Sequence, residues 1–174
     1  CRNRHGYEVN GIPYDHKYIY SQIGYNLKPT EVQAAMGVEQ MDKLPGFIAA
    51  RRKNFQTLWQ ELKSCEDFLI LPKWHEKAEP SWFSFVLTLR DGVPFQRKDL
   101  IEWLEDQKIQ TRLLFAGNII HQPAYQTIEK IVTGDLKNSD KVMRDTFFVG
   151  VYPGLGDREI AYIVEKIKQF LKRY

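Results

Sequence analysis

The sequence contains little cysteine, no long hydrophobic run and little excess charge. Its 174 residues include only two cysteines, Cys1 and Cys65, which cannot form a disulfide framework and favour a reduced, cytoplasmic setting. Uninterrupted apolar stretches are only a few residues long, so we expect no transmembrane helix, no signal peptide and no membrane partner. The net charge is +3 and the Lys and Arg residues are dispersed, which argues against nucleic acid as a partner.

Several short motifs of catalytic and binding sites are also lacking. The sequence has no glycine-rich phosphate loop, no Cys-x-x-Cys pair, no His-x-x-x-His pair and no nucleophile elbow. Hydrophobic residues make up 43% and charged residues 27% of the chain, a composition that indicates a globular domain. Because the chain opens at Cys1 rather than at a methionine, we expect a fragment of a longer protein.

The amino-terminal part predicts exposed, irregular chain followed by two helices. Residues 1–29 contain Gly, Pro and Tyr without periodicity, which indicates a surface segment. Thr30 and Gln33 form a capping-box pattern at the start of a helix that runs to about Lys43. Its apolar residues lie in two stripes, so we expect it to be buried on more than one side. Pro45 suits the first turn of a second helix.

The remaining sequence predicts a small sheet packed against helices. Alternating apolar residues predict strands over residues 81–89, 109–115 and 146–152. Helical spacing predicts a short helix around Leu100, another capped by Ser139 or Asp140, and a last helix whose apolar face consists of Ile160, Ile163, Val164, Ile167, Phe170 and Leu171. This order predicts an α/β fold, more narrowly an α+β two-layer domain with helices on one face of the sheet.

The strand alternations also assign side chains to faces. In the first strand, Phe83 and Phe85 are expected on one side and Trp82 on the other. In the second strand, Arg112 is expected on one face, and Leu113 and Phe115 on the other. A charged residue among apolar ones near a strand end often serves a ligand, and a guanidinium offers paired N–H donors to an anionic one, whereas the plainer interpretation is a solvent-facing arginine.

One segment resembles a signature of a known enzyme family. Residues 24–37, GYNLKPTEVQAAMG, resemble the vitamin-B6-dependent nucleotide-sugar aminotransferases of the DegT/DnrJ/EryC1/StrS family, which have the aspartate-aminotransferase fold (fold type I). The resemblance implies that this chain is roughly the carboxy-terminal two-fifths of such an enzyme. Residues 1–43 would then be a cofactor-phosphate and dimer-interface segment with a linking helix. Residues 44–174 would be the carboxy-terminal small domain.

Further segments are similar to the deoxysugar 3-dehydrases within that family, of the type that acts on CDP-4-keto-6-deoxyglucose in lipopolysaccharide synthesis. They are YDHKY at 14–18, PSWF at 80–83, TRLLFAGN at 111–118 and YPGL at 152–155. The resemblance implies pyridoxamine or pyridoxal 5′-phosphate and a [2Fe–2S] cluster as cofactors. It also implies loss of the sugar C3 hydroxyl, a CDP-sugar substrate, a flavin iron–sulfur reductase as partner and a homodimer with a shared active site.

The resemblance places the cofactor cradle and the catalytic residue, a His in place of the usual Schiff-base Lys, before this chain. We therefore expect no catalytic residue here and no turnover by the isolated chain. Cys1 stands where the last of four cluster cysteines falls, although on sequence alone it is a chain-end thiol. Asn26, with Tyr25 beside it, would contact the cofactor phosphate of the neighbouring subunit, whereas the plainer interpretation of Asn26 is a turn residue.

The resemblance assigns a substrate site to the segment after the second strand. Arg112 would bind the diphosphate, and the sugar pocket would be lined by Phe115, Gly117, Asn118 and His121. The dehydrase pattern usually has Arg where this sequence has His121, and turn chemistry is the plainer explanation of Gly117 and Asn118.

Three alternatives stay open. A plain sugar aminotransferase would keep a Lys and hold no cluster. An RNA-binding α/β module is suggested by Phe83 and Phe85 on one strand and by a pI of about 8.8. A dimerisation domain without chemistry is the third; in a longer protein the two-sided helix would be buried against the missing large domain, so the isolated piece would expose apolar surface.

Overall fold

The computed structural model describes residues 7–9, 11–15, 18–19, 24–25 and 27–174. The contact pattern divides the chain into two compact units, Cys1–Met41 and Asp42–Tyr174. Among the described helices, none is both long enough and apolar enough to cross a membrane.

A β-hairpin lies within the segment expected to be irregular. Strand β1 (Tyr7–Val9) pairs antiparallel with β2 (Ile12–Tyr14), and Val9 lies opposite Ile12. Gly11 has a φ of +76°, the left-handed conformation that tight hairpin turns require. The prediction of irregular chain is therefore wrong here, and the Asn-Gly dipeptide before Ile12 is the sequence signal for the turn.

The first predicted helix is present but does not end before Pro45. Helix α1 runs from Glu31 to Leu62 with Pro45 in its interior, so the predicted second helix is a continuation of the first. The predicted cap is confirmed: the Thr30 N–H donates to Gln33 Oε1 at 2.8 Å, and the Gln33 N–H donates to Thr30 Oγ1 at 3.3 Å. Proline is compatible with helical φ, but it lacks the N–H that would bond the preceding turn.

The small sheet is antiparallel throughout. Its strands are β3 (Leu69–Ile70), β4 (Ser84–Leu89), β5 (Thr111–Leu113) and β6 (Thr146–Gly150), in the spatial order β3-β4-β6-β5. The three predicted strands are confirmed, each shorter than expected. The second strand ends early because Phe115 takes a φ of +49°, which breaks the extended backbone.

Within residues 27–174, three α-helices follow α1, namely α2 (Arg97–Asp106), α3 (Lys137–Asp145) and α4 (Asp157–Leu171). The apolar face predicted for α4 is confirmed residue by residue, and Glu159 caps its start by accepting the Gly156 N–H at 2.9 Å. The predicted cap of α3 is wrong. Leu136, with a φ of +51°, precedes the helix, and Asp140 lies inside it.

The core lies between one face of the sheet and the helices. Phe85, Leu87 and Leu89 of β4 are buried, while Ser84, Val86 and Thr88, which alternate with them, are half-buried. The helices supply buried side chains from the second half of α1 and from α2 and α4, among them Phe55, Leu58, Leu62, Leu100, Leu104, Ile160 and Ile167. The predicted α+β two-layer arrangement is confirmed.

An aromatic cluster joins α1 to the start of β4. The Trp82 ring stacks on Phe55 with 3.8 Å between centroids and 5° between planes. The ring centroid of Trp74 lies 5.4 Å from that of Trp82 and 5.6 Å from that of Trp59. The predicted faces of Trp82 and Phe83 are thus reversed. Residue 83 lies in a bend before β4, so the two-residue alternation does not extend back to it.

Candidate substrate site

The face of the sheet opposite the core carries an arginine among aromatic rings. Arg112 of β5 lies directly opposite Phe148 of β6, which lies opposite Val86 of β4. The rings of Phe83 and Phe115 lie 5.9 Å and 6.3 Å from that of Phe148. We call Phe83, Arg112, Phe115 and Phe148 the Arg–Phe surface. Phe148 is only 6% exposed because its neighbours cover it.

Arg112 is exposed, and its guanidinium is available to bind a ligand. Among the residues that the structure describes, its guanidinium makes no hydrogen bond or ion pair. It lies with Phe148 on the face away from the core, whereas Leu113 pairs with the buried Phe147, so the two residues are on opposite faces as the alternation predicts. A free guanidinium next to apolar rings offers several N–H donors to a phosphate or carboxylate, and the rings offer flat contact area to a sugar or base.

Phe115 and Gly117 shape the chain that follows β5. Phe115 is 80% exposed, and its N–H donates to the Leu113 carbonyl at 2.8 Å. This turn carries its ring to the Phe148 side, so the prediction that Phe115 shares a face with Leu113 is wrong. Gly117 has a φ of +62°, and a Cβ there would lie 2.6 Å from the Met143 Cβ on α3. Glycine is required at this position by both conformation and space.

Asn118 and His121 meet at one acidic residue. The Asn118 Nδ2 donates to Asp140 Oδ1 at 2.6 Å, and His121 Nε2 lies 2.9 Å from the same oxygen. Asn118 is 3% exposed, and its Oδ1 accepts the N–H of Ile120 at 3.3 Å, at the start of a 3₁₀ turn over Ile119–His121. The hydrogen bond from Asn118, with a smaller contribution from His121, lowers the pKa of Asp140 from its ordinary value.

Two cavities adjoin this region, and Arg97 lines both. One, of about 130 Å³, lies behind residues 113–117 and against Met143. The other, of about 450 Å³, is lined by Arg90, Lys98 and Arg144. Cations at the larger cavity are committed within the chain: the Arg97 Nη1 donates to the Met143 carbonyl at 2.6 Å, and Arg144 pairs with Asp145 at 2.8 Å. These two guanidiniums are therefore engaged within the chain, whereas that of Arg112 is not.

The cofactor predictions fall largely outside the described residues. Cys1 and Asn26 both lie there. Tyr25 is 93% exposed, so its hydroxyl is accessible, and Lys28 nearby is also exposed. Cys65 is buried in the core, and burial raises the pKa of its thiol. Among the described residues no three His, Cys, Asp or Glu side chains come together as metal ligands.

The sequence of this chain is that of a known enzyme family. The sequence profile of the DegT/DnrJ/EryC1/StrS aminotransferase family matches residues 2–168, and the chain belongs to that family. It is 45% identical over 172 residues to the lipopolysaccharide biosynthesis protein RfbH of Salmonella typhimurium, covering 98% of this chain and 39% of that protein. It is 42% identical to dTDP-4-dehydro-2,6-dideoxy-D-glucose 3-dehydratase of Saccharopolyspora spinosa, covering 99% of this chain and 38% of that enzyme.

The fold agrees with a solved 3-dehydratase. The structure resembles GDP-4-keto-6-deoxy-D-mannose-3-dehydratase of E. coli with bound hydrated PLP, with a TM-score of 0.75 and 29% identity over 87% of this chain and 38% of that one. The predicted fold, part of an aspartate-aminotransferase-like PLP-dependent enzyme, is confirmed. The chain thus spans about two-fifths of the length of the relatives it matches.

Sequence reasoning missed Phe148 and Asp140 as parts of the site. Phe148 comes from a strand that was assigned to the sheet without a role, and only its register with Arg112 reveals the contact. Asp140 lies 22 residues from Asn118 and 19 from His121. Neither separation belongs to a short-range motif, so periodicity carries no signal for this contact.

Proposed function

We propose that this chain is part of a nucleotide-sugar 3-dehydrase that uses pyridoxamine phosphate and a [2Fe–2S] cluster. Its substrate would be a CDP-4-keto-6-deoxyhexose in deoxysugar and lipopolysaccharide O-antigen synthesis. The observation that carries the proposal is the Arg–Phe surface, where a free guanidinium adjoins exposed rings. Family membership and similarity to two proteins named 3-dehydratases support it.

In this proposal the described residues bind and orient the substrate. Arg112 donates to the diphosphate oxygens, for which its paired N–H groups are suited. Phe115 and Phe83 contact the sugar or base through their exposed rings. Gly117 lets the backbone approach α3, and Asn118 and His121 fix the turn that borders the sugar. None of these groups is proposed to move a proton in the reaction, and the isolated chain is expected to be inactive.

The cofactor proposals differ in how well this chain fits them. The phenol of Tyr25 and the ammonium of Lys28 are exposed donors that suit a phosphate, and Asn26 between them in the sequence would add an amide N–H. The bound cofactor would supply an electron sink for departure of the C3 hydroxyl. The described residues do not fit a cluster, since Cys65 is buried away from any second ligand. The proposed role of Cys1 rests on the resemblance to the dehydrases, which makes it one of four cysteine ligands, with the others from outside this chain.

Two partners complete the proposal. A homodimer would bring Asn26 and Tyr25 to the cofactor phosphate of the neighbouring subunit. A flavin iron–sulfur reductase would deliver electrons to the cluster.

A plain sugar aminotransferase is the second candidate, favoured by the description of the family itself. The RNA-binding alternative loses its basis, because Phe85 is buried while Phe83 lies on the opposite face.

The first prediction concerns Arg112. In the complete protein with its cofactor, we expect Arg112→Ala to weaken binding of CDP-glucose about tenfold or more, since charged hydrogen bonds contribute roughly 1.5–3 kcal/mol. Isothermal titration with CDP-, dTDP- and GDP-glucose measures the effect and identifies the preferred base. Arg158→Ala is the matched control, because Arg158 is an exposed arginine on α4. Equal affinities in the two variants would refute the role of Arg112.

The two enzyme candidates differ in their metal content. Iron and sulfide assays with a visible absorption spectrum, on the complete protein purified without oxygen, separate them. Iron and sulfide in equal amounts would support the dehydrase and the role of Cys1. A spectrum of the vitamin-B6 cofactor alone, without iron, would favour the aminotransferase or a cluster-free dehydratase.

A further inference from the structure

We propose that Asp140 on α3 is a positioning residue, which sets the loop Ala116–His121 in the geometry that receives the sugar of the substrate. The inference rests on the proposed function, because it takes this loop as the border of the sugar pocket. Asp140 itself would touch neither substrate nor cofactor. It would act through Asn118 and His121.

The first support is a chain of hydrogen bonds from the carboxylate to the loop backbone. One oxygen, Asp140 Oδ1, accepts from Asn118 Nδ2 at 2.6 Å and lies 2.9 Å from His121 Nε2. Asn118 in turn accepts the N–H of Ile120. The buried Asn118 amide is hydrogen-bonded at both its nitrogen and its oxygen. The bond to the Asp140 carboxylate therefore fixes its orientation.

The second support is a close contact on the same face of α3. Met143 follows Asp140 by three residues, so the two side chains lie on one side of the helix. Gly117 packs against Met143 so closely that a Cβ would overlap it. The hydrogen bonds at Asp140 therefore fix the direction of the loop, while the contact at Met143 fixes its distance from the helix. Two such contacts hold a binding loop before the ligand arrives, which lowers the cost of ordering it.

The charges around the carboxylate favour its ionised form. Asn118 and His121 donate to it, and Arg144, one turn further along α3, adds a favourable charge. Asp135 provides a comparison. It is an exposed aspartate with an ion pair to Lys137 at 2.6 Å, and that partner lies at the start of α3 and not in the loop.

The test compares Asp140→Ala, Asp140→Asn and Asp135→Asn in the complete protein with its cofactor. We expect Asp140→Ala to weaken CDP-glucose binding about threefold to tenfold and to leave the affinity for CDP unchanged, because only the sugar borders the loop. Asp140→Asn keeps a carbonyl oxygen for Asn118 and should recover part of the loss. Amide hydrogen exchange should rise over residues 117–122 in Asp140→Ala. Asp135→Asn should match the wild type in every measurement.

Each outcome has a separate meaning. If the wild type binds neither CDP-glucose nor CDP, the proposed function fails, and the sugar-positioning role fails with it. If the wild type binds both and Asp140→Ala binds them equally well, this inference alone is wrong. Faster exchange with equal losses for CDP-glucose and CDP would show a merely structural contact and would also overturn it.

Discussion

At the scale of single residues, Gly117 packs directly against Met143 of α3. We expect Gly117→Ala to lower the free energy of unfolding by about 1–2 kcal/mol for the left-handed backbone and by about 1–3 kcal/mol more for the clash with Met143. Gly134→Ala is the matched control. It has a φ of +78° with nothing within 4 Å of an added Cβ, so it should show the backbone cost alone. Urea unfolding of both variants measures the difference, and equal losses would mean that the loop yields to the added methyl.

At the scale of elements, Pro45 is the residue of α1 with the least favourable intrinsic helix propensity. It removes one backbone hydrogen bond in the interior of a helix that continues beyond it on both sides. We expect Pro45→Ala to stabilise the protein by up to about 3 kcal/mol, and the neighbouring Gly46→Ala by about 1 kcal/mol. Both positions are exposed, so neither change affects the core. Thermal unfolding followed by circular dichroism tests this order, and a lower midpoint for Pro45→Ala would show that the proline stabilises α1 in some other way.

At the scale of the whole molecule, large apolar side chains are exposed along the first part of α1, namely Val32, Met36, Val38, Met41, Leu44 and Phe47. The two apolar stripes predicted for this helix are therefore present, but they are not buried within the chain. We expect the 174-residue chain alone to bind a hydrophobic dye and to associate as its concentration rises. Met36→Lys should reduce both effects, whereas Gln40→Lys, at an exposed polar position of the same helix, should not. Dye fluorescence and sedimentation measure the outcome, and absence of both effects in the unaltered chain would contradict the prediction.

Local signals in the sequence account for much of the fold. The capping pair at Thr30 and the apolar spacing of α4 act over three or four residues, and the structure confirms both. Pro45 was misjudged because a proline is compatible with the start of a helix and with its interior, and packing decides between them. Phe115 was misjudged because a single left-handed residue ends an alternation without any change in composition.

The candidate site was less accessible to sequence reasoning than the fold. Arg112 and the loop after it were found through a resemblance, not through periodicity. Their partners Phe148 and Asp140 come from β6 and α3, which are distant in the chain and reach the site only through strand register and helix packing. Contacts of this kind depend on the tertiary arrangement, and a single sequence carries no direct record of them.

The aromatic cluster between α1 and β4 also gives the protein a built-in optical reporter. The sequence has four tryptophans, and three of them, Trp59, Trp74 and Trp82, lie within one cluster. The fourth, Trp103, is separate, with the Arg173 guanidinium 3.9 Å above its ring. Three of the four indole chromophores therefore lie where α1 meets the sheet. A change in emission follows separation of these two elements without any attached label, and Trp103→Phe would leave that signal nearly free of background.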